Sequence, residues 1–171
     1  MEKALGVINE LKKQGLLNKY AIGGGIAATY FIEPILTYDL DIFFVPPTER
    51  LDSLAPIYEF AEQRGYEKQK EMILIGGVPV QFIPAYNELV HEAVENAMET
   101  RYKQIKTRVV RAEYLIAIAL QTGRAKDRER MIRLLDEAKL DKSRLTKILE
   151  RFGLSAKFEK LRVQFYGKKG R

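Results

Sequence analysis

The sequence contains no cysteine, a single histidine and no long hydrophobic run. Without cysteine, the chain has neither a disulfide nor a thiolate metal site. His91 has no second histidine or cysteine to complete a soft-metal site, so we expect a surface or capping role for it. Hydrophobic residues make up 46% of the chain and charged residues 30%. This balance is typical of globular proteins and excludes a disordered or a membrane-embedded chain.

The first fifteen residues space their apolar side chains like an amphipathic helix and lack the continuous apolar core of a signal peptide. No later run approaches the roughly 20 apolar residues that span a bilayer. We therefore expect a cytoplasmic protein that does not enter a membrane.

Basic residues outnumber acidic ones by 29 to 23, which gives a net charge of +6 and a pI near 9.4. The excess is concentrated at 101–111, 124–133 and 157–171. Such a charge favours polyanionic partners, namely nucleoside triphosphates, RNA or DNA. Each basic run is also compatible with an ordinary solvated helical surface.

The periodicity of apolar residues changes along the chain. Apolar runs and alternation predict strands over 20–22, 38–45, 71–75, 78–83 and 105–110. Helical spacing predicts helices over 3–17, 26–32, 49–64, 87–99, 112–122, 126–138, 142–152 and 156–165. Gly76 and Gly77 predict a hairpin, because both accept positive φ. The sequence therefore predicts an α/β part over 1–110 and a helical part over 111–171.

Two aspartates lie on the predicted strand over 38–45. Successive side chains of a strand point to opposite faces, so Asp39 and Asp41 share one face. Two such close carboxylates repel each other unless a cation lies between them, and Mg²⁺ prefers hard oxygen ligands of this kind. The alternative is a polar outer face on an edge strand.

Three consecutive glycines, Gly23 to Gly25, follow the short apolar run at 20–22 and precede a predicted helix. Backbone amides in such a turn can hold phosphate, since the missing Cβ lets a ligand approach closely. The alternative is a plain turn, and the pattern is not a Walker loop because no Gly-Lys-Ser/Thr follows. A phosphate-binding turn in front of two carboxylates would be the minimal apparatus of phosphoryl or nucleotidyl transfer.

Gly23-Gly24 followed by Thr37-Tyr38-Asp39-Leu40-Asp41 resembles the hG[G/S]…[T/S]xDxD signature of the DNA polymerase β-like nucleotidyltransferase superfamily. The chain is most similar to the bacterial branch with AbiEii-type abortive-infection proteins, in which a later helical segment carries R-x-K-D, as in Arg124-Ala125-Lys126-Asp127. The likeness covers roughly residues 18–138. It implies an α+β fold: a nucleotidyltransferase-like mixed sheet with flanking helices, followed by a C-terminal helical bundle.

The resemblance also implies roles for individual residues. Asp39 and Asp41 would be the catalytic pair that chelates Mg²⁺ or Mn²⁺. The nucleoside triphosphate would be bound by Gly23, Gly24, Thr37, Arg124 and Lys126, with Asp127 in support. The alternative for the last three is an ordinary exposed helix start.

Two features depart from the family pattern. A third carboxylate is usual on a later strand, whereas the matching stretch here places Gln81 toward the aspartates. An amide can orient a ligand but cannot take a proton from an attacking hydroxyl. Glu71 and Glu88 are nearby in sequence and are candidate substitutes. A lysine is also usual on the helix before R-x-K-D, and 117–121 contains none.

The leading hypothesis is transfer of a nucleoside monophosphate to a hydroxyl acceptor on RNA, a protein or a small molecule. The alternative is a catalytically impaired nucleotide- or RNA-binding regulatory module, which includes one half of a toxin–antitoxin pair. Tyr38 and Tyr86 flank the predicted site and are candidates for stacking on a nucleobase.

Overall fold

The computed structural model describes residues 1–47 and 52–167. The strands are β1 Lys19–Ile22, β2 Leu40–Val45, β3 Glu67–Gln69, β4 Met72–Ile75, β5 Val78–Pro84, β6 Met98–Tyr102 and β7 Ile105–Val109. The helices are α1 Glu2–Lys13, α2 Gly24–Ala28, α3 Ala55–Gln63, α4 Glu88–Glu95, α5 Ala112–Thr122, α6 Ala125–Glu137, α7 Lys142–Arg151 and α8 Ser155–Tyr166.

The strands form one sheet in the order β3-β4-β5-β2-β1-β7-β6. The pairs β2–β5 and β1–β7 are parallel, and the other neighbours are antiparallel. The predicted α+β fold, a mixed sheet with flanking and C-terminal helices, is confirmed. The hairpin at Gly76 and Gly77 is confirmed too, with φ of 59° and 79° at the two glycines.

Strand β2 lies at the centre of the sheet and divides its side chains between the two faces. Leu40, Ile42 and Phe44 are fully buried on one face. Phe44 pairs with Tyr20 of β1, whose hydroxyl donates to Asn9 of α1 at 2.8 Å, so this face packs beneath α1. The intervening residues, Asp41 among them, therefore point to the opposite face.

Several predicted boundaries were wrong. Strand β2 begins at Leu40 rather than 38, and the helix predicted over 26–32 is a short one at Gly24–Ala28. The helix predicted over 87–99 ends at Glu95, and Met98–Tyr102 is a strand instead. Strands β3 and β6 are the two edges of the sheet and are mostly exposed or half-exposed. All three residues of β3 are polar and exposed, whereas β6 alternates between half-buried and exposed residues but contains only two apolar ones, Met98 and Tyr102.

The C-terminal helices lie close to their predicted positions. Helix α5 spans 112–122 as predicted and is the most deeply buried helix that the structure describes, with contacts to α2, α4, α6 and α7. Residues 49–51 of the helix predicted over 49–64 lie outside the described residues. The division of the chain at residue 110 stays a prediction. No helix among the described residues is long and apolar enough to cross a membrane.

A buried carboxylate joins α5 to the start of α7. Glu113 is 4% exposed and accepts the Asp141 amide hydrogen at 2.8 Å. Glu113→Ala should lower the free energy of unfolding by about 1–3 kcal/mol, because the Asp141 amide then lacks its acceptor. Glu113→Gln keeps a carbonyl oxygen there and should cost clearly less. Urea denaturation at pH 7 measures both; an equal loss in the two variants would argue against this assignment.

Candidate active site

Asp39 and Asp41 line one cavity on the face of the sheet opposite α1. Asp41 is the second residue of β2, and Asp39 immediately precedes the strand. The cavity has a volume of about 420 Å³ and lies between the sheet and helices α5 and α6. Within the described residues, neither aspartate has a basic side chain within 4 Å. Both carboxylates therefore line one cleft, and no direct ion pair among the described residues neutralises them.

The electrostatics of the cavity act most strongly on Asp41. Burial, together with the negative charge of Asp39, raises the pKa of Asp41 from 3.8 to about 6. The positive charges of Arg130, Lys126 and Arg124 partly offset this rise. A carboxylate in such a position gains from any cation that enters the cavity, because the cation stabilises its ionised form.

The glycine turn packs directly against Asp41. A Cβ on Gly24 would overlap the Asp41 carboxylate. Gly24 also has a φ of 56°, a backbone angle that residues other than glycine rarely adopt. A Cβ on Gly25 would lie 2.6 Å from the Thr37 hydroxyl oxygen. The glycines therefore allow the turn and the acids to approach each other as no other residue type would.

Gly23 and Thr37, two of the predicted nucleotide ligands, do not line the cavity that holds both aspartates. The Gly23 amide donates to the Asp41 carbonyl at 2.8 Å, and Gly23 is not among the described residues that line the cavity. Its amide holds the turn against β2 and is not free for a phosphate. The Thr37 hydroxyl donates to Asp39 Oδ1 at 3.2 Å and lines a second, neighbouring cavity. Gly24 lines the first cavity, and its role in binding nucleotide stays a prediction.

The start of α6 carries Arg124, Lys126 and Asp127 to the same cavity. Asp127 is 3% exposed and accepts hydrogen bonds from the Thr122 hydroxyl at 2.8 Å and from Arg124 Nε at 2.7 Å. Its carboxylate is thus occupied in fixing the Arg124 side chain. The supporting role implied for Asp127 stays a prediction. Lys126 has no carboxylate within 4 Å among the described residues.

Arg130 is a site residue that the sequence reasoning missed. Its side chain is 18% exposed, lines the cavity, and lies 3.6 Å from the Asp127 carboxylate. Its Nη2 atom is 3.4 Å from the place of a Gly25 Cβ, and its buried Nε has no hydrogen-bond partner among the described residues. Lys126 and Arg130 are four residues apart and so share a helix face, the one signal that would have pointed to Arg130.

Gln81 faces the aspartates as expected. It pairs with Asp41 across the parallel strands β2 and β5 and lines the same cavity. Its amide nitrogen donates to the Glu71 carboxylate at 3.4 Å. Glu71 and Glu88 do not line this cavity in the described part of the chain; Glu88 borders a different one on α4, together with His91. Neither places a third carboxylate beside the aspartate pair.

One wall of the cavity is apolar. It consists of Phe43, Ile83, Leu115, Ile118 and Ala119, and the exposed Tyr86 stands at its edge. A planar ring would fit such a wall, because apolar and aromatic surfaces favour stacking over hydrogen bonding. Tyr38 borders the second cavity instead. The two tyrosines considered for base stacking thus belong to different cavities.

Solved structures share this architecture. A nucleotidyltransferase-like antigenic protein from Paracoccidioides brasiliensis matches with a TM-score of 0.52 at 13% identity, covering 91% of this chain and 89% of that one. ANT(2″)-Ia in complex with adenylyl-2″-tobramycin matches with a TM-score of 0.51 at 17% identity, covering 91% and 98%. The chain has a nucleotidyltransferase fold. At these identities the likeness shows the fold alone.

Comparisons of sequence find no such relationship. No protein-family model matches the chain, and no curated protein matches it significantly. The nucleotidyltransferase fold therefore rests on the structure, and the case for a function rests on the residues of the cavity.

The raised pKa of Asp41 predicts an unusual pH dependence of stability. The folded protein keeps the Asp41 proton up to about pH 6, whereas a normal aspartate releases it near 3.8. The wild type thus loses folding free energy between about pH 4 and pH 6. Asp41→Asn has no such loss and should be more stable than the wild type by about 1–3 kcal/mol above pH 7 without metal.

Chemical denaturation in EDTA at pH 4 to 8 measures this difference, which should shrink toward zero at pH 4. Glu99→Gln on β6, which removes an exposed carboxylate, is the matched control and should show no such trend. A difference between Asp41→Asn and the wild type that is independent of pH would show that burial and Asp39 do not perturb Asp41.

Proposed function

We propose that the protein is a Mg²⁺-dependent nucleotidyltransferase that passes a nucleoside monophosphate from a nucleoside triphosphate to a hydroxyl acceptor. The observation that carries the proposal is one cavity, in a chain with this fold, that brings together the aspartate pair, the glycine turn and three basic side chains. These are the parts that phosphoryl-group transfer needs for positioning and charge stabilisation.

The donor set of the cavity fits one magnesium ion. Asp39 and Asp41 would hold it, since Mg²⁺ is usually bound by one or two carboxylates together with substrate phosphates and water. The perturbed pKa of Asp41, caused by burial and by Asp39, supports this assignment, because a bound cation would relieve both costs. When bound, the ion would neutralise negative charge on the phosphate oxygens.

The nucleotide would extend from the glycine turn to the apolar wall. The amides of Gly24 and Gly25 open α2 and have no carbonyl of a preceding turn to pair with, so they are free to donate to phosphate. Arg130, Lys126 and Arg124 would pair with the remaining phosphate charge. The wall beneath Tyr86 would take the base.

The transfer would be a substitution at the α-phosphorus. The acceptor oxygen forms a bond to that phosphorus while the bond from the phosphorus to the oxygen bridging to the β-phosphate breaks. Pyrophosphate would leave, and the hydroxyl proton would pass to solvent water or to a carboxylate of the cavity, since the Gln81 amide does not accept a proton. Arg130 and Lys126 stabilise the charge that develops on the leaving pyrophosphate.

A second candidate function belongs to a different class. Gln81, in register with Asp41, stands where the family resemblance implies a third carboxylate. This favours a module that binds nucleotide or RNA without turnover. Incubation with radiolabelled nucleoside triphosphates, with and without cellular RNA or protein, separates the two candidates. Label transfer that depends on Asp41 would remove the binding-module hypothesis.

The finer assignments are proposals of the same kind. A relationship to AbiEii-type proteins and a place in a toxin–antitoxin pair rest on the motif resemblance, and a small neighbouring reading frame for a partner would support them. A cytoplasmic location and an acceptor on RNA or a protein are also proposals, and the net charge of +6 supports only the RNA acceptor, because a basic chain favours polyanions.

Binding of the nucleotide should raise the thermal stability of the protein. A ligand at a hundredfold excess over its Kd adds about 2.7 kcal/mol to the free energy of unfolding. For a chain of this size that corresponds to a rise in Tm of about 5–10 °C. Differential scanning fluorimetry with each nonhydrolysable nucleoside triphosphate plus Mg²⁺ measures the rise.

Asp39→Asn and Asp41→Asn should abolish the Mg²⁺-dependent part of this rise, and Glu99→Gln should keep it. No stabilisation of the wild type by any nucleotide, or an undiminished rise in both aspartate variants, would contradict the proposal.

Arg130 should contribute a large part of the affinity for the triphosphate. Arg130→Ala should weaken nucleotide binding about ten- to a hundredfold, the range expected for loss of charge-assisted hydrogen bonds of about 1.5–3 kcal/mol. Arg130→Lys keeps the charge and should lose less. Isothermal titration calorimetry measures both, with Arg101→Ala on the exposed edge strand β6 as the control. Unchanged affinity in Arg130→Ala would exclude Arg130 from the phosphate site.

A further inference from the structure

A second cavity, larger than the first, adjoins the aspartate pair. It has a volume of about 730 Å³ and is bordered by the extended segment 34–39, by β4 and β5, and by the exposed face of α6. Asp39, Lys126 and Arg130 line both cavities. These three residues form the shared wall, at which the two cavities adjoin, so a group held in the second cavity would lie next to the proposed triphosphate.

We propose that the second cavity is the acceptor subsite, and that the acceptor is a hydroxyl compound with a planar ring and an anionic group. A nucleoside phosphate, free or at the end of a nucleic acid strand, is the simplest compound of this class. The inference rests on the proposed function, since it assigns the acceptor of the same reaction.

Two exposed side chains at the rim of the second cavity favour a ligand with a planar ring. Leu36 is 83% exposed and Tyr38 is 75% exposed, and both lie on the segment that borders the cavity. A ligand that covers such exposed apolar and aromatic side chains removes their surface from water, which favours binding. A flat ring stacked on Tyr38 would cover part of the apolar surface that Leu36 and Tyr38 expose at this rim.

The basic side chains of the second cavity favour a ligand with an anionic group. Arg133 donates to the Glu137 carboxylate at 2.7 Å, and Arg130 lies 3.6 Å from the Asp127 carboxylate, so both are already neutralised in part. Lys126 has no carboxylate within 4 Å among the described residues, and it lies on the shared wall. Because Lys126 lines both cavities, an acceptor anion beside the hydroxyl would share its ammonium group with the triphosphate.

The same charges disfavour a polycationic acceptor. Three basic side chains line the second cavity against two acidic ones, Asp39 and Glu129, and Asp39 is assigned to the metal. An amino sugar with several ammonium groups would lie against Lys126, Arg130 and Arg133 without enough carboxylates to pair with. The proposed acceptor thus differs in charge from tobramycin, whose adenylyl-2″ form is bound in the ANT(2″)-Ia structure.

The test measures acceptor binding to the full chain already saturated with Mg²⁺ and a nonhydrolysable nucleoside triphosphate, so that the first cavity is filled. The probes are a nucleoside 5′-monophosphate, the neutral nucleoside, tobramycin and a short single-stranded oligonucleotide with a free 3′ hydroxyl. Calorimetry gives a Kd for each. We expect the monophosphate to bind at least tenfold more tightly than the nucleoside and than tobramycin.

Two tyrosine variants separate the cavities. Tyr38→Ser should weaken the monophosphate at least fivefold and change the Kd of the triphosphate analogue less than twofold. Tyr86→Ser, in the first cavity, should do the reverse. The two anionic probes identify the source of the acceptor: tighter binding of the oligonucleotide indicates a strand end, and equal binding indicates a free nucleotide.

The experiment distinguishes a failure of the proposed function from a failure of the acceptor subsite. If the triphosphate analogue itself does not bind, the proposed function fails. If it binds but the monophosphate does not, or if Tyr38→Ser and Tyr86→Ser weaken both ligands alike, the acceptor subsite is overturned while the proposed function stands. Equal binding of nucleoside and monophosphate, or tighter binding of tobramycin, would overturn the anionic class.

Discussion

The close approach of Asp41 to the glycine turn is the contact on which the proposed site depends. The Asp41 carboxylate occupies the space that a side chain on Gly24 would need, and the Asp41 carbonyl accepts the Gly23 amide. The turn and the strand are thereby fixed side by side. The Asp41 carboxylate is buried there, and the negative charge of Asp39 acts on it. This arrangement costs folding free energy in the absence of a cation, as the raised pKa of Asp41 indicates.

Three elements, β2, α5 and α6, position the groups of the cavity. The apolar face of β2, with Leu40, Ile42 and Phe44, anchors the strand beneath α1, so the acids on and beside it are held rigidly. The buried helix α5 supplies the apolar wall, and its packing against α6 brings the basic residues over the acids. Asp127 then orients Arg124 from within. Each charged group of the cavity thus lies on, or next to, a rigid element.

The sequence predicted the features that depend on local pattern. The aspartate pair, the glycine turn, the hairpin at Gly76 and the C-terminal helices all have short-range signatures. Edge strand β3 was missed because its three residues are all polar and exposed, and β6 because only Met98 and Tyr102 carry its alternation. The hydrogen bond of Gly23 joins distant segments and has no signature in the sequence. The spacing of Arg130 from Lys126 indicates a shared helix face, but not how α6 packs against the sheet. The roles implied for Asp39, Asp41 and Lys126 remain predictions about chemistry that the fold permits.

The central claim is that Asp39 and Asp41 share one divalent cation beside the glycine turn. Anomalous diffraction from a crystal soaked with Mn²⁺ and a nonhydrolysable nucleoside triphosphate tests it most directly. The account predicts a single strong manganese peak within coordination distance of both carboxylates, with triphosphate density reaching Gly24 and Arg130. Manganese bound elsewhere, or a triphosphate held away from both aspartates, would contradict it.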